Sequence, residues 1–538
     1  MRVIDGILRD SSGREVVLRG FNVSGTAKLA EYGGLPFASP ADAAVSARAM
    51  VSLTGANAVR FLLTWAWVEP TPGVISESYL DGVAAQLSAF TDLGVMAYLD
   101  FHQDLYSRHL FGPGSRYTGD GAPAWAARGY PPARCRFCFH WGQNMKNNPA
   151  VTSATRDFWH NRSGIRAAFV DAAGAALAGL RSRLSPEAFA LVIGVDPLNE
   201  PYAGRYAPGE TSLSWERDRL WPFYQEFRAA MDAAGWSDKI AFVEPLVYWN
   251  LNVGFFAEPG GFPSLPPLGP RFVFNSHFYD ARAQSVIFKP RNARDGEYAA
   301  DFARIRSRAA ELGTAAIVSE FGHPITSARR TSILKAMYQA LDSGVPGASW
   351  WSSAASSGPV LSASQWHWDI NYGRHHELQN DNPDRVCVDG DAMNAEHFSA
   401  VRLVDGEPVL TVDRRLLDRV YPRAVAGTTI AFTYEDRAGD LVWNRIPASL
   451  PGVRELVGAG RFAVLVWRGS GVTELRLPGT FATPTVVTDA GYEIDGGLRL
   501  STQDTGVHFA LVTDRPGGDP DRARSELASW VAQLGETR

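Results

Sequence analysis

Short apolar or β-branched runs recur along the chain and stop on polar or aromatic residues. They occur at 15–25 (EVVLRGFNVSG), 56–65, 94–104 (GVMAYLDFHQD), 190–200 (ALVIGVDPLNE), 240–250, 271–280 (RFVFNSHFYD), 314–322 (TAAIVSEFG) and 345–353 (VPGASWWSS). Each reads as a strand covered on both faces. Between most of them lie stretches of helical period, at 39–55, 79–94, 217–235 and 329–344, several closed by a glycine in C-cap position. Eight strands alternating with helices predict a (β/α)8 barrel, an α/β fold, rather than an open doubly wound sheet. Past residue 423 the period changes to short alternating strands broken by Gly, Pro and Asp. The pattern predicts a barrel domain over 1–423 and an antiparallel β-sandwich with a short helical tail over 424–538.

Composition narrows the partners. A formal net charge of −5 over 538 residues, with charges interspersed, leaves no basic stripe, so nucleic acid is not expected. The opening MRVIDGILRDSSGREVVLRGFN lacks an apolar core of signal-peptide length. No run approaches the ~18 apolar residues of a membrane span. A cytoplasmic protein without an integral membrane segment is expected, with transient contact to lipid surfaces at most. Three cysteines argue against a disulfide framework.

The strand ends carry the chemistry. In order they are Arg60; His102 and Asp104; Asn199 and Glu200; Glu244, Tyr248 and Trp249; His277 and Tyr279; Glu320; and Trp350 and Trp351. A barrel core is filled by branched apolar side chains and needs none of these for stability. Two carboxylates among aromatic residues at a barrel mouth suit glycoside hydrolysis, in which one carboxylic acid protonates the leaving group and one carboxylate attacks or stabilises the anomeric centre. Glu200 and Glu320 are the expected pair, with Arg60 keeping Glu320 ionised and a less polar setting keeping Glu200 protonated. Glu244 is the alternative member. No metal or organic cofactor is expected, because two carboxylates supply every proton transfer.

LNEP at 198–201, VSEFG at 318–322, Arg60, His102, HFY at 277–279 and Trp351 before Ser352 together resemble glycoside hydrolase family 5. GFNVSGTAKLAEY (21–32), DFHQDLYSR (100–108) and YPRAVAG (421–427) resemble its endoglycoceramidase branch, including fungal relatives that hydrolyse glucosylceramide and steryl β-glucosides. The resemblance implies a retaining (β/α)8 enzyme. Glu200 would be acid/base, Glu320 nucleophile, Asn199 the residue bonding the sugar 2-OH, and Tyr279 the neighbour of the nucleophile. Lys28, His102 and Asp104 would hold sugar hydroxyls, and Trp351 would form the aromatic floor. The insertion at 132–162 looks closer to intracellular glucosidase relatives, and a loop walling the cleft favours release of one glucose.

The expected activity is therefore a retaining β-glucosidase for glycosides with hydrophobic aglycones, such as glucosylceramide or steryl glucosides. Alternatives are an endoglycoceramidase releasing an intact oligosaccharide, a metal-dependent hydrolase with His102, Asp104, His277 and Glu320 as ligands, and a non-catalytic carbohydrate-binding protein. CRFCFH (135–140) admits a zinc site built from Cys135, Cys138, His140 and the distant Cys387, against a plain surface loop with reduced or locally paired cysteines. The Gly- and Pro-rich stretch 254–270 stands where a fifth helix belongs. Its Phe255, Phe256, Phe262 and Leu265 either pack as a loop core or receive a lipid aglycone.

Overall fold

The computed structural model describes residues 1–23, 25–135, 137–138, 140–284, 291–387 and 397–535. Eight parallel strands close into a barrel: Arg19–Val23, Ala58–Leu63, Met96–Phe101, Val192–Asp196, Ile240–Val243, Phe272–Phe278, Ala316–Phe321 and Ser362–Gln365. Val59, Leu99, Val195, Phe274 and Val318 are buried within them, the two-sided burial that their continuous apolar text requires. Helices Pro40–Thr54, Glu77–Thr91, Ile165–Arg183, Trp221–Ala233, Ala299–Glu311 and Arg330–Asp342 lie among the outer elements. The first begins on Ser39, whose side chain accepts from the Asp42 N–H, and ends on Gly55 at φ 67°, a left-handed turn suited to glycine. Among the described residues one helix, Arg162–Arg183, is long and apolar enough by length and composition to cross a bilayer. Here Phe169, Ala172, Ala173, Ala176, Leu177 and Leu180 of that helix are buried.

The eighth strand is not the expected 345–353. Those residues fold into turns of helix, Gly347–Ser349 and Trp350–Ser353. Trp350 and Trp351 turn away from the barrel mouth and pack against Trp530 of the C-terminal helix, tilted and edge-on, with ring centroids 5.5 and 4.9 Å away. The Trp530 indole N–H also donates to the Trp351 carbonyl at 3.0 Å. The strand that closes the barrel, SASQ at Ser362–Gln365, has almost no apolar character. Each of its polar side chains finds a partner inside: Ser362 Oγ accepts from the Leu18 N–H at 3.0 Å, Ser364 Oγ meets Tyr98 Oη at 2.9 Å, and Gln365 Oε1 accepts from Tyr338 Oη at 2.9 Å. A strand stabilised by hydrogen bonds rather than apolar burial leaves no hydrophobic run to find.

The C-terminal region holds two antiparallel sheets. One has four strands, Thr428–Glu435, Phe462–Arg468, Val507–Thr513 and Thr485–Thr488. The other has seven, and three of them come from the N-terminus: Arg2–Ile4, Ile7–Arg9 and Glu15–Val16 pair onward to Tyr421–Val425. Residues 2–16, placed with the barrel by sequence, are thus sandwich strands. Phe432, Leu465, Trp467, Leu475, Leu498 and Val512 share the core associated with these sheets. Val3, Leu8 and Val16 instead pack with Ile193, Phe242, Val273 and Ile317, forming a floor across the barrel's lower end. That leaves the upper, C-terminal end of the strands for chemistry.

Candidate active site

Arg60 stands at the centre, fully buried within the second strand. A buried guanidinium must be paired. Its Nη1 donates to Glu320 Oε1 at 2.6 Å and Asn22 Oδ1 at 3.0 Å. Its Nη2 meets Asp196 at 2.7 Å, Asp100 at 3.0 Å, Asn199 Oδ1 at 3.0 Å and Glu244 at 3.3 Å. One cation thereby orients carboxylates or amides from five different strands or strand ends. Asp100 and Asp196, acids within apolar strands, belong to this cluster and were not singled out by sequence.

His277 links the two expected carboxylates. Its Nδ1 lies 3.0 Å from Glu200 Oε1 and 3.5 Å from Glu320 Oε2. Its Nε2 lies 3.0 Å from Ser319 Oγ and 3.2 Å from Glu244 Oε1. Glu200, His277 and Glu320 each place an atom within 4.8 Å of the others. Tyr279 Oη donates to Glu320 Oε2 at 2.9 Å. Glu200 sits at φ 43°, a left-handed backbone that is uncommon for a residue with a side chain. Asn199 donates from Nδ2 to the Gln103 carbonyl at 3.1 Å, and Gln103 Nε2 returns a bond to the Asn199 carbonyl at 2.8 Å.

The surroundings push the pair in opposite directions. Burial raises the Glu200 carboxyl above its ordinary range, outweighing the opposing pull of His277. Burial would raise Glu320 too, but His277, Arg60, His102 and Lys28 more than offset it and hold its carboxyl low. His277 is itself raised well above an ordinary imidazole; burial opposes this, and Glu244, Glu320 and Glu200 override it. Glu244 is the deepest of the three glutamates. Its oxygens are taken up by Arg60, His277 and the backbone N–H of Glu200.

A second group lies beside this one. Lys28 Nζ meets Asp104 Oδ2 at 2.6 Å, and His102 bridges Asp104 at 3.1 Å and Asp100 at 2.7 Å. Against burial, Lys28 and His102 lower Asp104 to about 2. Likewise against burial, Asp100 and Asp104 raise His102 to about 10, despite Lys28. The tryptophan beside this group is Trp366, one residue past the eighth strand, and not Trp351, which packs against Trp530. Its ring stacks on His102 with centroids 5.5 Å apart at 14°, and Lys28 Nζ lies 4.5 Å from its centroid. The sequence signal was SQWHW at 364–368, a tryptophan at a strand end that lacked an apolar strand before it.

The four-ligand metal set suggested by sequence is divided. His102 and Asp104 group with Asp120, whereas His277 and Glu320 group with Glu200. Both imidazoles favour the protonated form, and Lys28 and Arg60 already neutralise the carboxylates a cation would need. The zinc arrangement is not formed either: Cys135 and Cys138 are joined in a disulfide, and Cys387 is buried against Leu29. In the 254–270 stretch Phe262 is core, ringed by Trp221, Tyr224 and Phe274. Glu216 fixes the loop by accepting from the N–H groups of Leu246, Gly261 and Phe262. Phe255 is 67% exposed.

Residues 10–357 match the sequence profile of the family described as Cellulase (glycosyl hydrolase family 5), a span covering more than half of the chain. The chain belongs to glycosyl hydrolase family 5. Within that family it is 29% identical over 296 residues to an endoglycoceramidase I of Rhodococcus hoagii, covering 52% of this chain and 53% of the relative. It is 34% identical over 130 residues to a glucosylceramidase of Cryptococcus neoformans, covering 22% of this chain and 16% of the relative. The chain thus aligns with about half or less of those curated relatives. Among solved structures, the fold matches an endo-glycoceramidase II from Rhodococcus sp. in complex with ganglioside GM3, with TM-score 0.64 and 22% identity over 95% of this chain and 99% of that one. It also matches sterylglucosidase 1 of Cryptococcus neoformans, with TM-score 0.67 and 15% identity over 96% and 97%. The protein is a family 5 glycoside hydrolase related to endoglycoceramidases and glucosylceramidases.

Proposed function

We propose that the protein is a retaining β-glucosidase acting on glycosides with a hydrophobic aglycone, such as glucosylceramide or a steryl glucoside. The observation that carries this reading is the pair Glu200 and Glu320. They lie on neighbouring parts of one mouth with an oxygen of each within 4.8 Å, and their surroundings push the Glu200 carboxyl up and the Glu320 carboxyl down. Carboxyl groups about 5–5.5 Å apart suit direct attack, whereas an intervening water needs roughly 6.5–9.5 Å.

In the first step ionised Glu320 attacks the anomeric carbon while the Glu200 carboxylic acid gives its proton to the departing oxygen. This leaves a glycosyl ester on Glu320. In the second step Glu200, now a carboxylate, takes a proton from water, which displaces Glu320 and returns the β-anomer. Tyr279 and Arg60 stabilise the carboxylate that leaves. Lys28, His102, Asp104 and Trp366 form the polar and aromatic wall for the sugar, and Asn199 retains an amide hydrogen for its 2-OH.

The test is product analysis on glucosylceramide, a steryl glucoside, lactosylceramide and cellobiose. β-Glucose released first, from the first two substrates, supports the reading. Intact lactose from lactosylceramide assigns an endoglycoceramidase instead. α-Glucose as the first product excludes the retaining course.

A further inference from the structure

A long excursion on the active end leaves the third strand after Phe101 and runs to the helix beginning at Pro149. In a protein of net charge −5 its composition is inverted. Between residues 105 and 148 the one acidic residue is Asp120, against Arg108, Arg116, Arg128, Arg134, Arg136 and Lys146. Asp120 is buried, so it does not balance these charges at the surface. Two of the cations flank a small closed loop: Cys135 and Cys138 form a disulfide, Arg134 precedes it, and Tyr117, next to Arg116, donates from Oη to the Cys138 carbonyl at 3.1 Å. Arg116 and Arg134 are exposed, and neither has a carboxylate partner among the described residues.

The loop they flank presents Phe137, which is 73% exposed, more than any other large hydrophobic side chain among the described residues. Further along the same excursion, a second tie reaches the segment that follows the fifth strand. Lys146 pairs with Glu258 and lies 3.9 Å from the Tyr248 ring centroid, on the stretch that also carries Phe255. An exposed aromatic ring between cations, on a loop tied at both ends, is poor design for a surface facing only water. It suits an interface where the ring enters the acyl boundary and the guanidinium groups meet anionic headgroups. Outside residues 105–148 the charge balance of the chain is negative, so an anionic sheet attracts this excursion more than the rest of the molecule.

We propose that the disulfide-closed loop bearing Phe137, with Arg116 and Arg134, docks the enzyme on anionic lipid surfaces and presents the mouth to membrane-embedded glycolipid. This rests on the glycolipid reading above, and the two fail separately in the test. Full-length protein is sedimented with vesicles of phosphatidylcholine alone and of equimolar phosphatidylcholine and phosphatidylserine. Binding is expected to the mixed vesicles only, and to fall as salt rises. Each cation contributes about fivefold in partitioning, so Arg116→Glu with Arg134→Glu should weaken binding by at least ~25-fold. Phe137→Ser should weaken it by roughly tenfold or more. All three changes should leave turnover of a small aryl β-glucoside unchanged, while hydrolysis of glucosylceramide in the mixed vesicles falls in step with binding. Equal binding to both vesicle types, or binding indifferent to the charge reversal, overturns the docking face. Retention on heparin without vesicle binding assigns the arginines to a soluble polyanion and overturns it as well. Wild-type protein that binds mixed vesicles but hydrolyses no glucoside upholds the docking face and removes the proposed activity.

Discussion

Oε2 of Glu244 accepts the backbone N–H of Glu200 at 3.1 Å. The bond holds Glu200 where its own backbone is least willing to stay, at φ 43°. The same Glu244 carboxylate reaches Arg60 at 3.3 Å and His277 Nε2 at 3.2 Å. It therefore braces the expected acid from behind and helps keep charged the imidazole that spans the pair. Glu244→Gln keeps an acceptor but presents an amide N–H to cationic donors. The expected result is a fall in kcat of about ten- to a hundredfold on an alkyl glucoside, with only slight loss on a dinitrophenyl glucoside, whose leaving group needs no protonation. Equal loss on both substrates would mean that Glu244 acts on folding rather than on the acid.

Removing either carboxylate should be far more severe. Glu320→Ala and Glu200→Ala are each expected to lower kcat by about a thousandfold or more while the protein stays folded. Added azide separates their roles. The Glu320 variant should yield the α-glycosyl azide and the Glu200 variant the β-azide, and the reverse products would exchange the two assignments.

The pH profile follows from the two opposed shifts. Glu320, held low, must be ionised, so activity is lost as pH falls through a value under the ordinary carboxylate range. Glu200, raised, must be protonated, so activity is lost as pH rises through a value above that range. Glu200→Gln should abolish the alkaline limb for an activated aryl glucoside and leave the acid limb in place. A persistent alkaline limb would assign it to another group.

Stability should respond to the neighbouring group with opposite signs at its two ends. Asp104, lowered to about 2, contributes stability above its unfolded value that is lost as pH falls from about 5 toward 2. His102, raised to about 10, contributes stability that is full below about 6.5 and is lost as pH climbs through 10. Thermal melts of Asp104→Asn should show a flattened acid arm, and those of His102→Gln a flattened alkaline arm. Unchanged arms would mean that Lys28, Asp104 and His102 exchange these partners for water.

The two tryptophans should part company. Trp366→Ala is expected to lower kcat/KM by about a hundredfold, because it removes the wall against His102 and Lys28. Trp351→Ala removes a buried ring from the contact with Trp530 and should cost about 3–5 kcal/mol of stability while the folded fraction keeps its turnover. Thermal melts and kinetics on both variants check this together.

What could be read from the sequence depended on whether burial was advertised by apolar text. Glu200 and Glu320 stand out because Val192–Asp196 and Ala316–Phe321 lead into them as hydrophobic strands. Trp366 did not, because Ser362–Gln365 is held by hydrogen bonds, and a nearby apolar pair, Trp350 and Trp351, imitated its signal while serving the sandwich. Asp100 and Asp196 were legible in principle, since an acid inside an apolar strand requires a buried cation. Arg60 supplies it. The placement of residues 2–16 was not legible, because a strand's local pattern does not name a partner some four hundred residues away.

That last pairing governs how the protein can be made. Glu15–Val16 is in register with Ala424 and Val425, so the floor formed by Val3 and Leu8 is anchored only after ribosomal synthesis has passed the whole barrel. Until then residues 3–16 wait with apolar side chains uncovered, which makes closure a late, non-local event. A chain cut at residue 420 would lose the strand with which Glu15 and Val16 pair, leaving Val3 and Leu8 only their contacts with the barrel's lower end.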